Sequence, residues 1–126
     1  MKRFIVVGLG NFGASVAETL YSGGHDVVAL DLDPERVDET ARLVTRAAVG
    51  DGTDARVLKQ AGAEDADTAV ISTGDDLTAS ALTALTMRDI GLEDIYVKVV
   101  SHEHARLIEK IGVTETIFPE RESGIR

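Results

Sequence analysis

The chain has 126 residues, 44% of them hydrophobic and 4% aromatic, carries a net charge of −9 and has no cysteine. That length builds one domain around one core. The acidic balance, with thirteen scattered basic residues, argues against a nucleic-acid binder, whose affinity comes from clustered Lys and Arg. The lack of cysteine excludes disulfides and thiolate metal sites and is compatible with a cytoplasmic setting.

With few aromatics, the core is Val, Ile, Leu and Ala, which suits a parallel sheet covered on both faces by helices. No stretch approaches the roughly 18 apolar residues that span a bilayer. Met1-Lys2-Arg3 precedes an apolar run, as in a signal peptide. Gly8, Gly10 and Asn11 interrupt that run too early for an h-region.

The first predicted strand covers residues 4–8 and breaks into Gly8-Leu9-Gly10-Asn11-Phe12-Gly13. A helix over 11–22 follows, with Phe12, Val16 and Leu20 on one face, and Gly23-Gly24 ends it. The second strand, 26–31, closes on Asp31, eighteen residues after Gly13. Strand, G-x-G-x-x-G, helix, strand and acid make the dinucleotide-binding fingerprint. In it Gly8 allows the tight turn, Gly10 lets the backbone approach a pyrophosphate, and Gly13 lets the helix pack on the sheet. The helix N-terminus then points its N–H groups at the phosphates. Asp31 would accept both ribose hydroxyls and disfavour a 2′-phosphate, so the expected ligand is not NADP. Its alternative is a strand-end cap. Asp33, ahead of Pro34, reads as the cap of a second helix over 35–43.

A short third strand (46–49) leads into the loop Gly50-Asp51-Gly52-Thr53-Asp54, with Asp54 placed to cap a helix over 55–61. On this topology the loop borders an adenine pocket. Asp51 is either a contact for the adenine edge or an ordinary turn aspartate. The fourth strand (68–72) ends in Ser72-Thr73-Gly74-Asp75-Asp76, where Thr73 and Gly74 leave room for a phosphate or a second ribose. Asp75 or Asp76 caps the helix over 76–90, which stops at Gly91. Lys98 interrupts an apolar fifth strand (95–100). It reaches toward the phosphates, pairs with an acid such as Glu120, or lies at an exposed edge. A helix over 102–111 and a sixth strand (116–118) complete the pattern.

Strict alternation of strand and helix implies an α/β, Rossmann-like doubly wound six-stranded parallel sheet in the order 3-2-1-4-5-6, with ligand outside the carboxyl ends at the switch point. His102-Glu103-His104 does not form a chelating pair, because residues i and i+2 of a helix diverge by about 200°. No nucleophile motif is present. One reading of the fingerprint is a piece of an NAD-dependent oxidoreductase, but no substrate domain or catalytic acid/base pair accompanies it. The helix over 76–90 carries Leu77, Ala81 and Leu85 with Leu82 and Ala84 beside them, and the next adds Leu107, Ile108 and Ile111. This apolar surface is broad for helices covering one sheet face and predicts self-association.

The ordered segments 6–13, 31–34, 49–53, 96–98, 107–112 and 117–120 resemble the RCK/KTN (TrkA-N-type) regulatory domains of potassium uptake systems and channels. The resemblance covers essentially the whole chain. It implies a non-enzymatic, cytoplasmic sensor of an adenine nucleotide, NAD/NADH or ADP/ATP. Such a sensor sits at the inner face of the membrane through a potassium-translocating partner subunit, which it gates by ligand-dependent ring conformation. Carried across, Gly8, Gly10, Asn11, Phe12, Gly13, Asp31, Leu32, Asp51, Thr73, Gly74 and Lys98 bind nucleotide. Lys98 and Glu120 lie near phosphates or a cation at a subunit contact, with Glu120 as the metal ligand. ATP-preferring members often place an arginine after the second glycine; Asn11 stands there in this chain, which disfavours ATP. Family chains continue into a crossover helix and a second lobe. The expectation here is the first lobe over residues 1–126, with the second absent, assembling as a dimer or larger homo-oligomer.

Overall fold

The computed structural model describes residues 1–119. The strands β1 (Arg3–Val7), β2 (Asp26–Asp31), β3 (Arg46–Val49), β4 (Thr68–Ile71), β5 (Asp94–Lys98) and β6 (Glu115–Ile117) alternate with α1 (Asn11–Ser22), α2 (Pro34–Ala41), α3 (Ala55–Gln60), α4 (Leu77–Ile90) and α5 (His102–Ile111). All pairings are parallel and the order is β3-β2-β1-β4-β5-β6. This is the doubly wound sheet that the sequence pattern predicts.

The alternation of side chains along β1 divides the core. Ile5 and Val7 join Leu58, Met87, Ile95 and Ile108 on the face covered by α3, α4 and α5. Val6 joins Ala17, Val27, Ala29 and Val37 on the face covered by α1 and α2. A strand buried on both faces has no polar side to give up, which is why β1, β4 and the middle of β2 read as unbroken apolar runs.

Several element ends differ from the sequence reading. β5 begins at Asp94 and ends at Lys98, so Lys98 is the last residue of an interior strand rather than a mid-strand or edge residue. A polar residue can start this strand because the Thr68 hydroxyl donates to Asp94 Oδ2 at 2.7 Å. β1 starts one residue early, β4 stops at Ile71, and β6 lies one residue earlier than predicted. α2 ends at Ala41, followed by a turn in which Leu43 N donates to Thr40 O. A 3-10 turn at Ala63–Asp65, which no periodicity announces, links α3 to β4.

The helix starts follow the side-chain chemistry. Asp33 caps α2 through Glu35 N, Asp54 caps α3 through Arg56 N, and Asp76 caps α4 through Ala79 N, each at about 3 Å. Ser101 caps α5 through His104 N.

Two contacts fix the upper half of the sheet. The first is a close approach of backbones between β1, α1 and β4. Gly8 has φ +95°, and a Cβ there would lie 1.8 Å from Ser72 O; a Cβ on Gly13 would lie 1.8 Å from Gly8 O. The second is the buried pair His104–Ser80, which ties α5 to α4. Val100 N donates to His104 Nδ1 at 3.1 Å, so the ring proton sits on Nε2 and is donated to Ser80 Oγ at 3.0 Å.

The outer faces of α4 and α5 divide unevenly. Leu77, Leu82, Leu85 and Leu107 are 42–46% exposed, while Ala84 and Ile108 are fully buried in the core. Ala81 and Ile111 pack against the core edge. The surface surplus is therefore four leucines, not the larger set that the sequence pattern suggests.

Gly13→Ala is expected to destabilise the fold by about 3 kcal/mol or more, because the new methyl meets backbone that cannot yield. Denaturant unfolding of the purified variant measures this. Burial holds the His104 imidazole below its usual pKa. A base depressed in the folded state contributes stability above its unfolded value, about 6.5, and loses it as pH falls. Unfolding free energy should therefore drop between about pH 7 and pH 5, and His104→Asn should flatten that part of the profile.

Candidate functional site

A cavity of about 320 Å³ opens at the carboxyl end of the sheet, where the order turns from β1 toward β2 on one side and β4 on the other. The sequence-predicted contacts reach it from five separate segments. Gly8, Gly10, Asn11 and Phe12 come from the glycine turn and the first turn of α1. Asp31 closes β2 and Leu32 follows it, Asp51 follows β3, Thr73 and Gly74 follow β4, and Lys98 closes β5. Ten of the eleven sequence-predicted nucleotide contacts thus share one cavity. Gly13 is the exception: it is buried behind the turn, where it serves the packing of α1. Glu120 lies outside the described residues.

The three motif glycines separate by physical role. Gly8 and Gly13 are required by the fold. Gly10 is not: its φ of −69° and ψ of −168° suit any residue, and the nearest atom to a Cβ there is Arg36 Nη1 at 3.9 Å. Gly10 and Arg36 both line the cavity, and Arg36 Nη1 is the one atom within 4 Å of a Cβ placed on Gly10 among the described residues.

The α1 N-terminus is the second feature. Gly10 is its N-cap and provides no side-chain hydrogen bond, and the first turn holds no acidic residue. Among the described residues the other four α-helices are each capped by their own Asp or Ser. The leading N–H groups of α1, at the positive end of its dipole, therefore face the cavity uncapped.

Asp31 is the third. Its carboxylate accepts from Leu9 N at 2.6 Å through Oδ2 and from Asp33 N at 2.8 Å through Oδ1. It is 9% exposed, and what is exposed faces the cavity. Asp31 is thus a strand-end cap that also lines the cavity. Two backbone donors fix the carboxylate's orientation, and each oxygen retains a second lone pair for a hydroxyl.

Arg36, on the first turn of α2, is a lining residue that the sequence reading missed. Its Nη1 lies 3.9 Å from Asp31 Oδ2 and its Nε 3.8 Å from Asp33 Oδ2. Half exposed and loosely paired, it adds little stability, but it places a cation between the acidic corner and Gly10. Only its arrival one helical turn after Asp33 hinted at this.

Asp51 accepts from both the backbone N–H (2.9 Å) and the hydroxyl (2.7 Å) of Thr53 through Oδ1. It is therefore an Asx turn that shapes the loop, and the residue lines the cavity. Lys98 stands between this cavity and a second hollow lined by Val99, Ser101, His102 and Phe118; among the described residues it makes no ion pair. His102 and His104 do not converge: His104 is buried with both ring nitrogens in hydrogen bonds, and His102 is exposed and packs on Phe118. Among the described residues no three His, Asp or Glu side chains gather as metal ligands.

The chain is 37% identical to Ktr system potassium uptake protein C of Bacillus subtilis over 125 residues, 99% of this chain and 57% of that protein. It thus spans a little over half the length of that relative. Its fold matches the AMP-bound Kef CTD of Shewanella denitrificans with a TM-score of 0.83 and 25% identity, covering 98% of this chain and 75% of that one. It also matches the NAD-bound GsuK channel with a TM-score of 0.82 at 18% identity, covering 98% of this chain and 22% of that one. Residues 4–119 match the TrkA-N domain family, and the chain belongs to it.

Proposed function

We propose that this domain is a nucleotide-sensing regulatory module of a potassium transport system and that it performs no chemistry on its ligand. The observation that carries this reading is Gly10. Neither its backbone angles nor its packing calls for glycine, so the missing side chain serves whatever occupies the cavity beside the α1 N-terminus. Uncapped helical N–H groups select an anion, and a diphosphate bridges them to the Asp31 corner.

The ligand is an adenine nucleotide with free ribose hydroxyls. Its phosphates lie at Gly10, Asn11 and Phe12, with the Arg36 guanidinium alongside. Its ribose meets Asp31. Its base lies between Leu32, an exposed leucine at the cavity lip, and the loop around Asp51. Thr73, Gly74 and Lys98 receive the part of the ligand beyond the phosphates. Asn11 offers no cation to a terminal phosphate, which favours NAD(H), ADP or AMP over ATP. Asp31 and Asp33 outweigh the single Arg36 and repel a 2′-phosphate. The similar AMP-bound Kef CTD and NAD-bound GsuK channel support this ligand class.

The Ktr relatives support potassium transport as the setting. Among the described residues no helix is long and apolar enough to cross a membrane. In this reading the domain acts on a membrane-spanning partner from the cytoplasmic side. Copies pair through Leu77, Leu82 and Leu85 of α4 and Leu107 of α5. The paired lobes build a ring whose shape follows the ligand, and Glu120 contributes a cation ligand near the subunit contact.

Calorimetric titration with NAD, ADP, AMP, ATP and NADP tests the site. NADP is expected to bind at least tenfold more weakly than NAD, a difference of about 1.4 kcal/mol. Gly10→Val should abolish binding while keeping normal circular dichroism. Equal affinity for NAD and NADP would remove Asp31 from its role, and a folded Gly10→Val that still binds would move the phosphates elsewhere. Nicotinamide absorbance should stay constant with candidate hydroxy-acid substrates. Light scattering at micromolar concentration should give at least twice the 13.4 kDa chain mass, and Leu82→Glu with Leu85→Glu should return it to a monomer.

A further inference from the structure

His104 lies on α5, fully buried, and joins two elements that border the cavity. Val100 N, two residues beyond the cavity residue Lys98, donates to its Nδ1 at 3.1 Å. Its Nε2–H donates to Ser80 Oγ of α4 at 3.0 Å. Ser80 N in turn donates to Asp76 O at 3.0 Å, and the Thr73 hydroxyl donates to the same carbonyl at 3.4 Å. Thr73, Asp76 and Ala79, the neighbour of Ser80, all line the cavity. One imidazole thus clasps the wall that carries Lys98 to the wall that carries Thr73.

The clasp works in one protonation state. Val100 N is a donor, so Nδ1 must accept, and only a neutral ring has an accepting nitrogen. A second proton sets an Nδ1–H against the Val100 N–H and puts a positive charge in a buried position, where the ring's two partners are an amide and a hydroxyl rather than a carboxylate. The charged or titratable groups flanking the ring are Asp76 and Lys98 on the two walls, Arg88 toward the far end of α4, Glu115 on β6, and His102 and Glu103 beside it on α5. Burial, not any of these charges, lowers the pKa of the ring.

We infer that His104 is a positioning residue for the far half of a bound dinucleotide: its neutral ring sets the gap between Lys98 and Thr73, and its protonation opens that gap and weakens binding. This role rests on the nucleotide reading above and deepens it, since Thr73, Gly74 and Lys98 there receive the part of the ligand beyond the phosphates. A dinucleotide that touches both walls favours the closed clasp and with it the neutral ring. By linkage the ring then gives up its proton more readily when NAD is bound, and NAD binds more weakly once the ring is protonated. Affinity is therefore complete above about pH 6.5, the ordinary histidine value, and falls as pH drops through the lowered value of the buried ring.

The test measures NAD affinity of the folded chain by calorimetry from about pH 7.5 to about pH 5, the range in which histidine titrates, with circular dichroism at each step. NMR follows the histidine rings over the same range, and His25→Asn and His102→Asn assign the His104 ring by elimination. NAD suits the calorimetry because its bridging phosphates do not titrate there, whereas the terminal phosphate of AMP does, at about pH 6. Wild type is expected to bind NAD at least about fivefold more weakly at the acid end, and the His104 ring to titrate about 0.7 pH unit lower with NAD bound, the shift that a fivefold change requires. AMP, which ends at its phosphate, should leave the ring titration in place. His104→Asn keeps an acceptor for Val100 N and takes up no proton, so its NAD affinity should be level across the range.

Level NAD affinity in wild type overturns the inference. So does a His104→Asn chain that keeps the wild-type slope, or a His102→Asn chain that loses it, because the proton then acts elsewhere. A His104 ring that titrates at the same pH with and without NAD marks a merely structural histidine and overturns it as well; this readout needs no folded His104→Asn. A ring moved equally by AMP and NAD places the coupling at the phosphates, with the same consequence. A wild type that binds AMP but not NAD leaves the phosphate site standing and overturns the role of His104. A wild type that binds neither removes the nucleotide reading itself.

Discussion

The structure depends on one close approach: the backbone of the β1–α1 turn lies against the end of β4 with no room for a side chain between them. Gly8, Gly13 and Ser72 meet there, and a single Cβ on either glycine would penetrate a carbonyl. This contact sets how far α1 slides down onto the sheet. It therefore sets the height of the α1 N-terminus above the strand ends, and with it the depth of the cavity between β1 and β4. A wider spacing would still give a sheet with two helical layers, but the helix N–H groups would no longer look across the switch point.

Asp31 couples this turn to the next one. By accepting from Leu9 N and Asp33 N it joins the glycine turn to the β2–α2 connection. Asp33 in turn caps α2, and the first turn of α2 presents Arg36 back to Gly10. The acidic corner is thus a small network in which each member is oriented by another. These hydrogen bonds hold the two turns together, so loss of the Asp31 carboxylate is felt in stability.

Much of this was legible in the chain. The glycine fingerprint carries its own physics, because a positive φ and two sub-contact approaches admit only glycine, and the spacing to Asp31 follows from the length of one helix and one strand. Asp33, Asp54 and Asp76 announce the helices that they cap. What stayed hidden depends on contacts distant in sequence. Arg36 looks like any exposed arginine on α2 until the turn at Gly10 is placed beside it. Thr83 looks like a polar residue in an amphipathic helix, since nothing local reveals that among the described residues its hydroxyl lacks a partner. The start of β5 was misread because Asp94 is polar and its partner, Thr68, is 26 residues away. The two apolar sides of α4 could not be divided by periodicity alone; packing sends Ala84 and Met87 inward and leaves Leu82 and Leu85 outside.

The central claim is that the cavity at the head of α1 receives the phosphates of an adenine nucleotide. Amide chemical-shift mapping by NMR as AMP is added tests it most directly. The account predicts that the largest shifts fall on Gly10, Asn11 and Phe12, with smaller ones at Leu32, the Gly50–Thr53 loop and Gly74. Shifts that leave the α1 N-terminus untouched, or that gather at the opposite end of the sheet around Arg3, Asp26 and Arg46, would contradict it.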